Sequence, residues 1–320
     1  MNVLVTGGAG FIGSHLVELL LARGDTVFVI DDLSTGDRAN LDGCSRSENL
    51  HLEIARVEDT SKLAAWMPEV DAVFHLAAAV GVRLVIDNRV RTMRTNLHTT
   101  EAVLEHASRS DTRVFLASSS EVYGTSNALP FAEGHPLQLG SPDAGRWGYA
   151  ASKATGEFLA LAYAKERHLP VVIGRLFNTT GPRQAAAYGM VLPTFIRQAL
   201  AGEPITVFGD GSQTRCFAHV TDIVRAVVAL MDVPDAIGQI FNIGSDAEIS
   251  IEALAHKVKE LTGSPSPIQL IPYNQVWDDF EDMQRRVPDL SKIRKTIGYR
   301  PTMSLDEVIR SAIEYARMSS

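Results

Sequence analysis

Residues 3–16 read VLVTGGAGFIGSHL: an apolar run, then Gly7, Gly10 and Gly13, then residues at helical spacing. A strand that passes through a tight glycine turn straight into a helix is the simplest structure for this segment. The glycines let the backbone approach a ligand closely, and the first N–H groups of the helix favour an anion in front of them. The spacing is GxxGxxG. More short apolar runs follow, VLVT at 3–6, TVFVI at 26–30, AVFHLA at 72–77, RVFLAS at 113–118 and VVIGRLF at 171–177, with amphipathic stretches between them over Ser14–Arg23, Asn96–Ser108 and Tyr149–Arg167. Continuous apolar strands alternating with helices predict a parallel sheet covered on both faces. The expected fold is α/β, a Rossmann-type doubly wound sheet.

Beyond Phe177 the texture changes to Gly- and Pro-containing loops (NTTGPRQ, FGDGSQTR) and a Pro-containing stretch at 263–272. We expect a dinucleotide-binding domain over 1–176 and a smaller α/β substrate domain over 177–320. Thr221–Met231 has helical periodicity and is expected to lie in a segment of about 218–243 that returns to the first domain. Ser304 and Glu307 have capping-box spacing ahead of a last helix.

The second strand ends in Asp31 and Asp32, near the offset at which a carboxylate hydrogen-bonds the adenosine ribose of a dinucleotide. A carboxylate there would repel a 2′-phosphate, so the expected cofactor is NAD. In GYAASKATGEF, Tyr149 and Lys153 are four residues apart and share a helix face. An ammonium beside the phenol is expected to lower its pKa and make it a usable base. Ser119, after LAS, could bond the same substrate hydroxyl.

With these residues in place, the chain resembles the extended short-chain dehydrogenase/reductase family, and within it the nucleotide-sugar epimerases, dehydratases and decarboxylases. TGGAGFIGSHL, HLAA at 75–78, SSSEVYG at 118–124, YAASK at 149–153, RLFNTTGPRQ at 175–184 and FGDGSQTRCFAHVTD at 208–222 carry the resemblance over nearly the whole length. It implies that Ser119, Tyr149 and Lys153 oxidise a sugar 4-hydroxyl and that the hydride later returns. It also implies cofactor contacts from Gly7, Gly10, Phe11, Ile12, Gly13, Asp31, Asp32, Val57, Leu76, Ala77, Ala78, Tyr149 and Lys153. Arg56, in ARVED before Val57, stands where relatives often have an acidic residue. Ser119, Ser120, Asn178, Val191, Gln213, Arg215 and Arg286 are the implied substrate contacts, an arginine on a diphosphate making charge-assisted bonds.

The pair after Ser119 bears on the reaction. The dTDP-sugar dehydratases of the family carry Asp-Glu there, and this chain has Ser120-Glu121, which is similar to the UDP-glucuronate decarboxylases. FEDMQRRVPDLSKI near the C-terminus and GRWGY at 145–149 also resemble decarboxylases, the first making Arg286 the candidate partner of the substrate's anionic groups, with Arg285 as the neighbouring alternative. The resemblance thus implies loss of carbon dioxide from UDP-glucuronate through a 4-ketone. A UDP-sugar 4-epimerase, a nucleotide-sugar 4,6-dehydratase and a non-catalytic NAD-binding regulator are the alternatives.

Composition narrows the rest. A net charge of -8 disfavours nucleic acid and acidic membranes, which reward basic stripes. Cys44 and Cys216 fit neither a disulfide framework nor a metal site, and His75 and His219 read as structural, so no metal is expected. There is no GxSxG, HExxH or P-loop. Met1–Thr6 reads as a strand and no apolar run of about 18 residues occurs, so no signal peptide or membrane span is expected and the location should be cytoplasmic. Relatives pair through two long helices, here near 92–108 and 149–167, which implies a homodimer.

Overall fold

The computed structural model describes residues 1–186, 189–275 and 283–318. Seven parallel strands form the central sheet: β1 (Asn2–Thr6), β2 (Thr26–Asp31), β3 (Leu50–Ile54), β4 (Ala72–His75), β5 (Arg113–Ser119), β6 (Val171–Leu176) and, after four short strands, β11 (Gln239–Ile243). Their spatial order is β11-β6-β5-β4-β1-β2-β3, so the winding reverses between β1 and β4. Five strands are legible in the sequence as apolar runs. The sequence reading missed β3 and β11 because both are edge strands that carry polar residues, LHLEI and QIFNI.

On one face lie α1 (Phe11–Arg23) and, from later in the chain, α7 (Val220–Asp232), sealed by Leu16, Val17, Leu20, Ile223 and Val227. The other face is covered by α2 (Thr60–Trp66), α4 (Arg89–Arg109), preceded by the short α3 (Val82–Asp87), and α5 (Arg146–Arg167), around Leu63, Val103, Leu104 and Ala160. Helices α1, α4 and α5 begin before the stretches read from the sequence, because their first turns are polar or glycine-containing. Segment 218–243 returns to the sheet, with α7 against its face and β11 paired with β6.

The remaining elements are β7 (Thr179–Thr180), α6 (Val191–Ala201), β8 (Ile205–Phe208), β9 (Thr214–Cys216), β10 (Ala218–His219), β12 (Glu248–Ser250), α8 (Ile251–Thr262), β13 (Ile268–Ile271), β14 (Arg285–Arg286), α9 (Ser291–Ile297) and α10 (Leu305–Met318). A separate apolar cluster of Phe195, Ile196, Leu254, Val258, Ile309 and Ile313 joins α6, α8 and α10. Helix α10 opens on the expected capping box: Glu307 accepts from the Ser304 N–H at 2.7 Å, and the Glu307 N–H reaches Ser304 Oγ at 3.4 Å. Strand β9 is central to a small sheet, antiparallel to β12 and parallel to β14, with Arg286 in register with Arg215. No helix among the described residues is long and apolar enough to cross a membrane.

Candidate active site

Open parallel sheets bind ligands at the carboxyl ends of their strands, beside the point where the winding reverses. Here that edge gathers Gly7 after β1, Leu76–Ala79 after β4, Ser119 at the end of β5 and Asn178 after β6. Gly7 takes a left-handed φ of 73°, and a Cβ on it would stand 2.8 Å from the Ala77 nitrogen. A Cβ on Gly13 would meet the Gly7 carbonyl oxygen at 2.0 Å. Gly10 caps α1 with no side chain on its first N–H groups. The turn is therefore a bare backbone cradle at a positive helix end, which fits a dinucleotide pyrophosphate.

Asp31 braces this cradle, its carboxylate accepting from the Ala9 N–H at 2.9 Å and the Leu33 N–H at 2.8 Å. Burial pushes its pKa up, against these backbone bonds. Asp32 is exposed and accepts from the Ser34 N–H. Phe11 and Ile12 form the first turn of α1, and Val57 is buried beneath the sheet end. Arg56 is exposed and pairs with Glu58. The loop after β4, with Leu76, Ala77 and Ala78, is held by Asn96, whose Oδ1 accepts from the Ala79 N–H at 2.8 Å while Nδ2 donates to Ser152 on α5 at 3.0 Å. His75 bonds Thr6 and Thr100, and burial, with the Lys153 charge, drives its pKa down to about 3, so it is a neutral structural residue.

Tyr149 and Lys153 lie one turn apart on α5, and Ser119 ends the strand β5 that α5 packs against. Ser119 Oγ accepts from the Glu121 N–H at 3.2 Å and stands near enough to the Tyr149 hydroxyl to favour its ionised form, and Lys153 Nζ donates to the Ala117 carbonyl at 2.9 Å. The electrostatics depart from expectation. Burial dominates at the phenol and, despite Ser119 and Arg286, pushes Tyr149 up to about 12. Lys153 is itself lowered by burial to about 8, with Glu157 acting the other way. In the protein alone the lysine does not make the phenol acidic.

The turn after β5 carries Ser120 and Glu121. Arg146, one turn before Tyr149, donates from Nε at 3.1 Å and from Nη2 at 3.0 Å to Glu121 Oε2, and Arg286 donates from Nη1 to Glu121 Oε1. Burial would raise the Glu121 pKa, but the Arg146 and Arg286 charges, the Arg146 bonds and Arg215 together hold it at about 2. Arg286 also donates to Asn178 Oδ1 at 2.6 Å, and its buried Nε–H has no partner among the described residues. The neighbouring Arg285 points the other way and pairs with Glu248 at 2.8 Å. Arg215 is buried and donates to the Met283 carbonyl, while Gln213 is engaged by the Phe208 carbonyl and the Tyr273 hydroxyl. Val191 opens α6 and packs on the third apolar cluster. Of FEDMQRRVPDLSKI, residues 280–282 lie outside the described residues.

Sequence reasoning missed Arg146 and Asn96 as site residues, and with them Glu157 and Arg175. The signals were present: Arg146 stands at i−3 from Tyr149, Glu157 at i+4 from Lys153, and Arg175 is a charge inside an apolar strand.

The fold and this constellation define a dinucleotide-dependent enzyme of the extended short-chain dehydrogenase/reductase type. By sequence the chain belongs to the family described as GDP-mannose 4,6 dehydratase, matched over residues 4–312. It is similar to a UDP-N-acetyl-alpha-D-glucosaminuronate decarboxylase of Bacillus cytotoxicus, 38% identical over 98% of this chain and 97% of that one. It also resembles UDP-glucuronic acid decarboxylase 1 of Xenopus tropicalis, 36% identical over 99% of this chain and 72% of that protein. Among solved structures, a dTDP-glucose 4,6-dehydratase from Streptomyces venezuelae with NAD bound superposes with a TM-score of 0.90 at 31% identity, covering 99% of this chain and 97% of that one.

Proposed function

We propose that the protein is an NAD-dependent decarboxylase of a UDP-linked uronic acid, with UDP-glucuronate as the substrate to test first. The observation that carries this reading is the pair of guanidinium groups, Arg146 and Arg286, closing on the single carboxylate of Glu121 beside Ser119 and Tyr149. Arg146 and Arg286 bring two guanidinium groups to the place where the sugar would sit, and the buried Nε–H of Arg286 has no partner among the described residues. A substrate carboxylate answers both. The names of the two decarboxylase relatives support the same assignment.

Bound NAD would accept the hydride from C4 of the sugar and return it at the end. Gly7, Gly10 and Gly13 would hold its pyrophosphate, and Asp31 and Asp32 are the groups near its ribose. Tyr149, whose pKa of about 12 in the protein alone would fall beside the positive charge of a bound nicotinamide, takes the proton of the 4-hydroxyl, with Ser119 holding the oxygen. The 4-ketone makes the C6 carboxylate a β-keto acid. The C5–C6 bond breaks, carbon dioxide leaves, and the electron pair enters an enolate whose oxygen is held by Ser119 and Tyr149. A proton then adds at C5. Glu121 is ionised at neutral pH, which suits holding two arginines, and Ser120 stands where the 4,6-dehydratase alternative needs the acid that expels the 6-hydroxyl. A 4-epimerase acting on a uronate would use the same cations without loss of mass.

Incubation with NAD and UDP-glucuronate, followed by mass spectrometry of the nucleotide sugars, separates these outcomes. Loss of carbon dioxide from the product is expected. An isomer of unchanged mass would make the protein a 4-epimerase, and absence of turnover would reject UDP-glucuronate. The same reading includes a homodimer built on α4 and α5, supported by Val90 and Phe158, which are 73% and 69% exposed on those helices.

A further inference from the structure

Glu157 takes no part in the chemistry above, yet its side chain is only 3% exposed and faces Arg175, equally buried, on β6. Arg175 donates from Nε to Glu157 Oε1 at 2.9 Å and from Nη2 to Oε2 at 2.7 Å. Ser118 donates its hydroxyl to the same Oε1. Two consecutive residues of β5 are thereby tied to α5, Ala117 through Lys153 and Ser118 through Glu157, and the next residue is Ser119.

The pair reaches further. Arg175 donates to the Glu133 carbonyl and lies over the Tyr123 ring at 4.7 Å. Tyr123 donates to Asn242 Oδ1 at 2.7 Å, and Asn242 donates to the Phe131 and Asp289 carbonyls. Phe131 in turn pairs its backbone with Val287 and Asp289, the residues that follow Arg286. One buried chain of contacts thus runs from beneath Lys153 to the strand that delivers Arg286.

A buried ion pair seldom adds stability over an apolar pair of equal size, so its presence calls for a use. We propose that Glu157 and Arg175 are positioning residues, a buried ion pair that locks α5 to β5 so that Ser119, Tyr149 and Lys153 meet, and that keeps an ammonium at Lys153. This rests on the reading above for the identity of the redox residues, and not on which sugar is bound. Among the described residues, the charged and titratable groups around Lys153 are few. Glu157 and Tyr149 share its helix, and His75 faces it from β4 as a neutral ring. Glu157 is therefore the negative charge that acts on the lysine, and Arg175 is what tempers it.

The arrangement predicts opposite signs for its two halves. Lys153 is one of seven lysines, and its isotope-labelled ε-carbon can be followed by NMR in NAD-loaded enzyme, assigned by its loss in Lys153→Met. Glu157→Gln is expected to lower the Lys153 titration midpoint by about one unit, a tenfold change in its charged-to-neutral ratio. Arg175→Met, which leaves Glu157 with Lys153 as its nearest cation, is expected to raise it. Ser118→Ala removes a hydrogen bond without a charge and is expected to leave the midpoint in place.

Turnover of Glu157→Gln should fall through kcat with KM retained, most steeply above neutral pH. Shifts in the same direction in the two charge variants, no shift in either, or a shift in Ser118→Ala as large as in Glu157→Gln would overturn the proposal. If Arg175→Met does not fold, Glu157→Gln against Ser118→Ala decides it. A wild-type enzyme that releases no carbon dioxide would reject the decarboxylase reading and leave the NMR comparison intact.

Discussion

Arg286 and Glu121 are 165 residues apart in the chain and meet as a salt bridge, with Arg146 closing on the other carboxylate oxygen. The carboxylate is held at about 2, so it is an anion at neutral pH. Glu121→Gln keeps the shape and removes the charge that gathers both arginines. Decarboxylation should fall roughly 100-fold or more, with NAD binding unchanged. Unaltered turnover of the substrate would remove the main support for assigning Glu121 to the reaction.

Arg146 should discriminate between substrates that differ only in the C6 group. Truncation in Arg146→Met removes a charged donor that a carboxylate would use and a hydroxymethyl would not. A charged hydrogen bond contributes about 1.5–3 kcal/mol, so affinity for UDP-glucuronate should drop roughly 10- to 150-fold. Affinity for UDP-glucose, measured by calorimetry on the same variant, should hardly change. Equal losses for both ligands would place Arg146 outside the uronate contact.

Stability should carry the signature of His75. The imidazole is neutral in the fold down to about pH 3, whereas in the unfolded chain it takes a proton near its ordinary value of 6.5. Its contribution is therefore full above about 6.5 and is lost as pH falls toward 3, by up to about 1.4 kcal/mol per pH unit. Urea unfolding from pH 7 to 4 should show a shallower fall for His75→Asn than for wild type. Parallel curves would mean that the ring is not kept neutral.

The proposed homodimer predicts a position that a surface residue of a monomer would not reveal. Phe158 is a large exposed apolar side chain on α5, and Phe158→Glu would bury a charge in any helix-on-helix interface formed there. Light scattering should report a dimer for the wild type and a shift toward monomer for the variant. The same mass for both proteins would remove α5 from the interface.

Much of this protein is written locally. The glycine turn, the strand and helix alternation, the Tyr149–Lys153 face and the Ser304–Glu307 cap depend on residues within a few positions of one another, where backbone geometry fixes which side chains meet. The edge strands β3 and β11 were not legible because an edge needs no continuous apolar run. The resemblance named Arg286 with Arg285 as the alternative, and residue spacing alone did not separate the two. Arg285 and Arg286 are neighbours in sequence, and a strand sends consecutive side chains to opposite faces, so only the pairing of β14 with β9 decided that Arg286 enters the site and Arg285 turns to Glu248.

The sequence by itself determined the fold class, the glycine turn after the first strand and the shared helix face of Tyr149 and Lys153, all of which rest on short-range periodicity and turn chemistry. Tertiary structure decided the charge of the site: an ionised Glu121 between Arg146 and Arg286, a phenol left at about 12 and a lysine at about 8. Burial and the approach of distant charges set those values, and neither is a property of any short stretch of chain.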